Sequence, residues 1–202
     1  MPAAPTLILA STSRYRRELL DRLRLPFSVQ APGVDELAWP GEAPARLAQR
    51  LALAKAEAVA AGKGDVVVIG SDQVAELDGQ AIGKPHTHDR ATAQLRTMRG
   101  RAVTFHTALA VLRPSSGYRG VALVPVVVTF RDLLDAEIEA YLRAEQPYDC
   151  AGSARAEALG IALVDSIVSD DPTALIGLPL IRTCALLRAA GLDPLVASSG
   201  RT

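Results

Sequence analysis

The sequence predicts an α/β fold built on one mixed sheet flanked by helices. Three features carry that prediction. Short β-branched and aliphatic runs, such as residues 7–10 and 66–69, alternate with stretches whose apolar residues recur every three or four positions. Two long strand-forming segments, 102–112 and 121–130, are separated by Pro114-Ser115-Ser116-Gly117 and should pair antiparallel. Asp78-Gly79, between residues 73–77 and 80–82, is a hairpin signal. Crossover helices combined with hairpins give a sheet of mixed direction.

Each element has a local reason. Residues 6–10 read as a buried strand. A helix follows over 14–24, with Tyr15, Leu19 and Leu23 in one stripe, and Pro26 stops it. An alanine-rich helix over 44–61 turns Leu47, Leu51, Leu53 and Ala54 inward and ends at Gly62. The run 66–69 reads as a strand that Gly70 turns, which leaves Asp72 just past a strand end. Residues 88–98 form a helix closed by Gly100. Asp135 can cap a helix over 136–145 with Ile138, Tyr141 and Leu142 inward. A strand near 159–168 and a helix near 179–190 complete the pattern, and the tail from 196 to 202 should fray. No repeat or linker interrupts the chain, so 1–202 reads as a single domain.

Composition narrows the function. Basic and acidic residues balance at 22 each, so a general preference for nucleic-acid backbone is not indicated. The longest apolar run, 121–128, is too short to cross a membrane, and no signal peptide is visible. Cys150 and Cys184 lack metal-ligand spacing, and a reduced, cytoplasmic chain is the simplest reading.

Two stretches point to chemistry. In "LILASTSRYRRELL" (7–20), Ser11-Thr12-Ser13 leads into a helix whose first turn carries Arg14, Arg16 and Arg17. Cations at a helix amino end oppose the partial positive charge there. Bound phosphate reverses that argument, because free N–H groups, hydroxyls and guanidinium forks together hold an anion. A solvated basic face behind an ordinary serine cap fits the same residues. In "VVVIGSDQVAELDGQAIGKP" (66–85), Asp72 and Lys84 either form a divalent-metal and phosphate site at a strand end or are a turn acid and a surface lysine. Glu36 can be a second acid. Lys55, in an apolar helical run, either snorkels or faces an anion. His86, His88 and His106 show no zinc pattern and read as structural or surface residues.

The order of these motifs resembles the Maf family of nucleoside triphosphate pyrophosphatases. The matching blocks are 7–20, Val34-Asp35-Glu36, Lys55-Ala56, Ser71-Asp72, Gly83-Lys84-Pro85, Ala151-Gly152-Ser153 and Gly177-Leu178-Pro179. The resemblance implies a sheet with a central cleft, similar to the inosine triphosphatase fold, and usually a homodimer. It implies hydrolysis of a nucleoside triphosphate to the monophosphate and pyrophosphate with a divalent cation, Mg²⁺ or Mn²⁺. By that likeness Glu36 and Asp72 hold the metal and Asp72 accepts the proton of the attacking water. Ser11, Ser13, Arg16, Lys55 and Lys84 neutralise phosphate oxygens; Arg17 shares that duty or is structural.

Within the family, "SDQ" at 71–73, the hairpin 74–84 and "CAGSARAEALGIAL" at 150–163 resemble the branch acting on 7-methyl-GTP, where removal of modified nucleotides is the natural purpose. Tyr15, Gln73 and Glu157 match its specificity positions. A base methylated at N7 is cationic, which suits a tyrosine face and a carboxylate. Glu157 can accept the N1–H and N2–H of guanine, and Gln73 can donate to O6. A dTTP or UTP pyrophosphatase of the same family and a nucleotide-binding regulator of septum formation are the alternatives. The family commonly has proline where this chain has Arg14, and the sequence assigns that charge no role.

Overall fold

The computed structural model describes residues 5–198. The chain runs β1 (Thr6–Ala10), α1 (Arg14–Asp21), β2 (Phe27–Val29), α2 (Pro44–Ala60), β3 (Val66–Leu77), β4 (Gln80–Ile82) and α3 (His88–Met98). It continues through β5 (Ala102–Arg113), β6 (Tyr118–Phe130), α4 (Asp135–Glu145), β7 (Val164–Val168), α5 (Leu180–Ala189) and α6 (Pro194–Ser198). The strands form one sheet in the order β2-β1-β3-β5-β6-β7, with β4 paired to β3. β1 is parallel to β2 and β3, and the other pairs are antiparallel. The predicted α/β class and mixed sheet are both present.

Strand alternation divides the core. Val66 and Val68 of β3 face α2, together with Ile8, Ala10, Ala108 and Ala110. Val67 and Ile69 face the other way, onto Leu19 and Leu20 of α1 and Leu187 of α5. Further along that second face, Ala75 and Leu77 join Phe105, Val126 and Val128 beneath α3 and α4. Each fully buried large aliphatic side chain contributes about 1.5–3 kcal/mol. Helix α2 packs closely because Ala48, Ala52 and Ala56, four residues apart, are all fully buried against the sheet.

One difference from the sequence reading changes the position of the site. Gly70 does not turn the chain: β3 continues through Ser71, Asp72 and Gln73 to Leu77, and Gly70 is a mid-strand residue. A Cβ there would lie 2.1 Å from the Ala52 carbonyl oxygen and 2.7 Å from the Ala56 nitrogen. Glycine is therefore required for α2 to rest its backbone on β3.

Other boundaries shift for local reasons. Helix α1 ends at Asp21 rather than at 24, because Arg24 takes a left-handed φ of 55°. The three-residue β2 is absent from the sequence reading; it is short, largely exposed and defined by pairing with β1. Residues 159–163 form a 3-10 turn, so only Val164–Val168 is strand. Leu53 and Ala54 are only half-buried; the inner face of α2 holds Leu47, Ala48, Leu51, Ala52, Lys55 and Ala56. Asp135 does not cap α4. Glu137 accepts the Leu134 N–H at 2.8 Å, and Asp135 pairs with Arg96 and Arg99. The tail is helical through Ser198; residues 199–202 lie outside the described residues. The hairpin is as predicted, with Asp78 and Gly79 both at positive φ and Leu77 opposite Gln80. Among the described residues no helix is long and apolar enough to cross a membrane, and Cys150 and Cys184 are both free thiols.

Candidate active site

The site lies at a gap in the sheet. β5 pairs with β3 from Val68 to Glu76 along one edge. On the opposite edge β1 pairs only as far as Gly70, and β4 begins at Ala75. Residues 71–74 therefore have no strand beside them on that edge. Because β1 stops at Ala10, the Ser11–Arg16 turn can close around its end onto Asp72. The sequence reading put Asp72 just past the end of its strand; the strand instead continues to Leu77, and what ends before Asp72 is the parallel pairing with β1.

Alternation along β3 sends Asp72 toward α2 and Gln73 to the other face. Lys55, on the buried face of α2, donates to Asp72 Oδ1 at 2.6 Å and to Glu36 Oε1 at 2.6 Å. The Asp72 and Lys55 side chains are 10% and 6% exposed, whereas Glu36 is 58% exposed. One acid is thus enclosed and one is open to a ligand, and they meet at a single ammonium. Lys55 is aimed at anions rather than snorkelling. Burial pushes the Glu36 carboxyl up, but the hydrogen bond and charge of Lys55, with the charges of Lys84 and Arg16, outweigh it and hold the group below its usual value. Lys84 is exposed after β4, and its charge reaches Glu36.

Arg16 completes the cluster. Its Nε donates to the Gly177 carbonyl at 2.9 Å and its Nη1 lies 3.4 Å from Ser11 Oγ. Burial lowers its pKa, against the opposing charges of Asp72 and Glu36. Ser11 Oγ accepts the Ser13 N–H at 3.1 Å, and Ser13 Oγ caps α1 by accepting the Arg16 N–H. Ion pairs join Glu36 and Asp72 through Lys55, and hydrogen bonds join Ser11 and Ser13 with Arg16; the charges of Arg16 and Lys84 reach Glu36. Arg17 does not join them. It is exposed and lines a separate cavity of about 360 Å³ with Asp21, Leu25 and Phe27.

Residues that the sequence left unassigned hold this arrangement. Gly177, at φ 119°, presents one carbonyl to both Arg16 and the Ser71 hydroxyl, the latter at 3.0 Å. Asp171, 1% exposed, accepts the Ile181 and Arg182 N–H groups at 2.7 and 3.2 Å and the Thr173 hydroxyl at 2.8 Å. It thereby fixes the segment carrying Gly177 to the start of α5. Arg50 anchors the segment carrying Glu36. It forms a fork on Glu42 at 2.6 and 2.7 Å, donates to the Leu37 carbonyl at 2.9 Å and stands 4.1 Å from the Trp39 ring centroid. The sequence signals were faint: a glycine before proline, an acid before a helix, and an arginine five positions before Lys55.

The three expected specificity residues lie to the other side. Gln73 Nε2 lies 2.8 Å from Thr107 Oγ1, 3.1 Å from the Ala174 carbonyl and 2.9 Å from the Leu175 carbonyl. Donation to a base oxygen would have to replace one of these. Glu157 borders a cavity of about 120 Å³ with Val126, Leu175 and Ile176. Tyr15 carries Arg14 against its ring, 4.7 Å from the centroid, and accepts an Arg14 N–H at 2.7 Å. Arg14 thus packs on Tyr15. Burial raises the Tyr15 pKa, which keeps the phenol neutral, and pushes the neighbouring Cys150 thiol up to about 12. His88 and His106 pair with Glu139 and Glu76, and not with Asp72.

Glu36 and Asp72 also test the expected metal. Mg²⁺ is commonly held by one or two carboxylates plus substrate phosphates. Two carboxylates converging on one point, one of them open, fit that pattern. Among the described residues no group of three His, Cys, Asp or Glu forms a ready-made cage. The donor set fits a cation that is completed by phosphate oxygens.

Comparison with known proteins shows the family. A relative from Albidiferax ferrireducens, named 7-methyl-GTP pyrophosphatase, is 64% identical over 194 residues, covering 96% of this chain and 98% of its own. Relatives of the same name from a Polaromonas species and Bordetella pertussis are 63% and 62% identical. They cover 95% and 96% of this chain, and 87% and 98% of their own. The sequence profile described as Maf-like protein matches residues 6–190, and the chain belongs to that family.

Proposed function

We propose that this protein hydrolyses 7-methyl-GTP to 7-methyl-GMP and pyrophosphate, removing a modified nucleotide. The observation that carries the reaction is the buried Asp72, joined through Lys55 to the open Glu36 at the gap in the sheet. The shared name of the relatives supports the substrate.

The triphosphate enters over the amino end of α1. Ser11, Ser13, Arg16, Lys55 and Lys84 offset its charge, and Arg16 is held in place by Gly177. A water molecule attacks the α-phosphorus in line with the leaving group. Its oxygen forms the new P–O bond, its proton passes to Asp72, and the bond to the β-phosphate oxygen breaks to release pyrophosphate. Glu36 and Asp72 would hold a divalent cation, Mg²⁺ or Mn²⁺, whose charge draws electron density from the phosphoryl oxygens. Tyr15 and Glu157 favour a cationic purine. A pyrimidine has no paired N–H donors for Glu157 and would leave that carboxylate desolvated and unmatched.

A panel of triphosphates at equal concentration tests the substrate. Pyrophosphate release should be fastest with 7-methyl-GTP; preference for dTTP or UTP would reject the assignment, and binding without product would favour a regulatory protein. The same reading includes a homodimer, which light scattering of the purified protein checks.

Arg50→Gln should lower turnover by about tenfold, because it frees the segment that presents Glu36 without touching the substrate. Trp39 is the only tryptophan in the chain and lies on that segment. Its fluorescence anisotropy should fall in the same variant. Unchanged anisotropy and unchanged turnover would show that Arg50 does not position the acid.

A further inference from the structure

A second guanidinium lies against Tyr15. Arg155 Cζ is 5.1 Å from the ring centroid. Its Nη1 is hydrogen-bonded to Glu145, whose side chain is 14% exposed, and the Arg155 backbone N–H donates to Tyr141 Oη at 3.0 Å. Its Nε is buried, has no hydrogen-bond partner and stops 3.7 Å short of Glu157 Oε1. A flat, delocalised cation of the protein therefore occupies the space between one aromatic ring and one carboxylate. These are the two groups that the proposed function assigns to a flat, delocalised cationic base. They cannot serve both at once, because two like charges in a partly desolvated site repel.

We propose that Arg155 is an internal stand-in for the cationic base. In the free protein it covers Tyr15 and offsets the charge of Glu157. When a 7-methylated purine binds, the guanidinium leaves both groups while Glu145 retains its anchor. The unpartnered Nε is consistent with a resting position that can be vacated: it holds Arg155 near Glu157 without a complete hydrogen bond. Displacement weakens every base by the same factor, so the ratio between bases remains the work of Tyr15 and Glu157. Arg155 sets the threshold: a base must offer the ring and the carboxylate at least what the guanidinium offered them. This inference rests on the proposed substrate.

The test uses Arg155→Met, which keeps the stem and removes the charge, and the double variant Glu145→Gln/Arg155→Met, which also removes the charge of the acid that anchored the guanidinium. KM for 7-methyl-GTP and the dissociation constant of the nucleoside 7-methylguanosine are measured in both and in the wild-type protein. Both constants should fall by about three- to tenfold in each folded variant, the range expected from one lost cation–π competitor. Methylguanidinium ion should compete with the nucleoside in the variants at concentrations that leave the wild-type protein unaffected. Structural damage alone would loosen binding, so tighter binding is the diagnostic result. In the wild-type protein, the Arg155 Nε–H resonance should move on addition of 7-methylguanosine. If 7-methyl-GTP is turned over but its KM is unchanged or raised in the variants, Arg155 is not a stand-in and the substrate assignment stands. If the nucleoside binds neither wild-type protein nor variants, both the assignment and the inference fall.

Discussion

Asp72→Asn is expected to lower kcat for pyrophosphate release by about a thousandfold, within the range associated with a lost general base. Asparagine is nearly the same size, so it fits the enclosed position beside Lys55. It cannot take a proton from water, and it removes one of the two negative charges that meet at Lys55. Glu36 still engages the ammonium, so the lysine is not stranded as a buried, unpaired charge. The melting temperature should therefore change much less than the rate. Measuring pyrophosphate release and thermal unfolding on the same preparation separates the two effects. A folded variant with undiminished turnover would remove Asp72 from the mechanism.

Gly70→Ala has the largest expected effect on stability. The added Cβ would sit 2.1 Å from a backbone oxygen of α2, and a helix backbone cannot move aside as a flexible side chain can. Relief requires α2 to lift from β3, disturbing the contacts of Ala48, Ala52 and Ala56 with the sheet. Such overpacking should cost about 3 kcal/mol or more. In urea the midpoint should drop while the slope stays constant. The consequence extends to chemistry. Lys55 is one residue from Ala56 on α2, and Asp72 is two residues from Gly70 on β3, so lifting the helix lengthens the 2.6 Å contact between them. Turnover by the folded fraction should fall as well. An unchanged urea midpoint would mean that the close packing of helix on strand is not needed.

Much of the fold was legible because it is locally encoded. Ser13 caps α1, Pro44 opens α2, and Asp78-Gly79 makes the hairpin; each depends on residues within a few positions. The misread elements lacked such a local signal. Gly70 resembles a turn until a helix is seen lying on it, and β2 exists because β1 offers a free edge.

The sequence by itself determined the kind of chemistry this protein carries: acids, lysines and serines in a recurring order, in segments whose helix and strand periods are written into their residues. Only the tertiary structure decided how those groups meet. It placed the gap on β3 between the end of β1 and the start of β4, pointed Asp72 and Gln73 to opposite faces, and joined Arg16 to Gly177 and Tyr15 to Arg155. The physical reason is range. Capping and periodicity depend on near neighbours, whereas these meetings depend on strand order and register, and a slip of one residue in β3 would exchange the faces of Asp72 and Gln73.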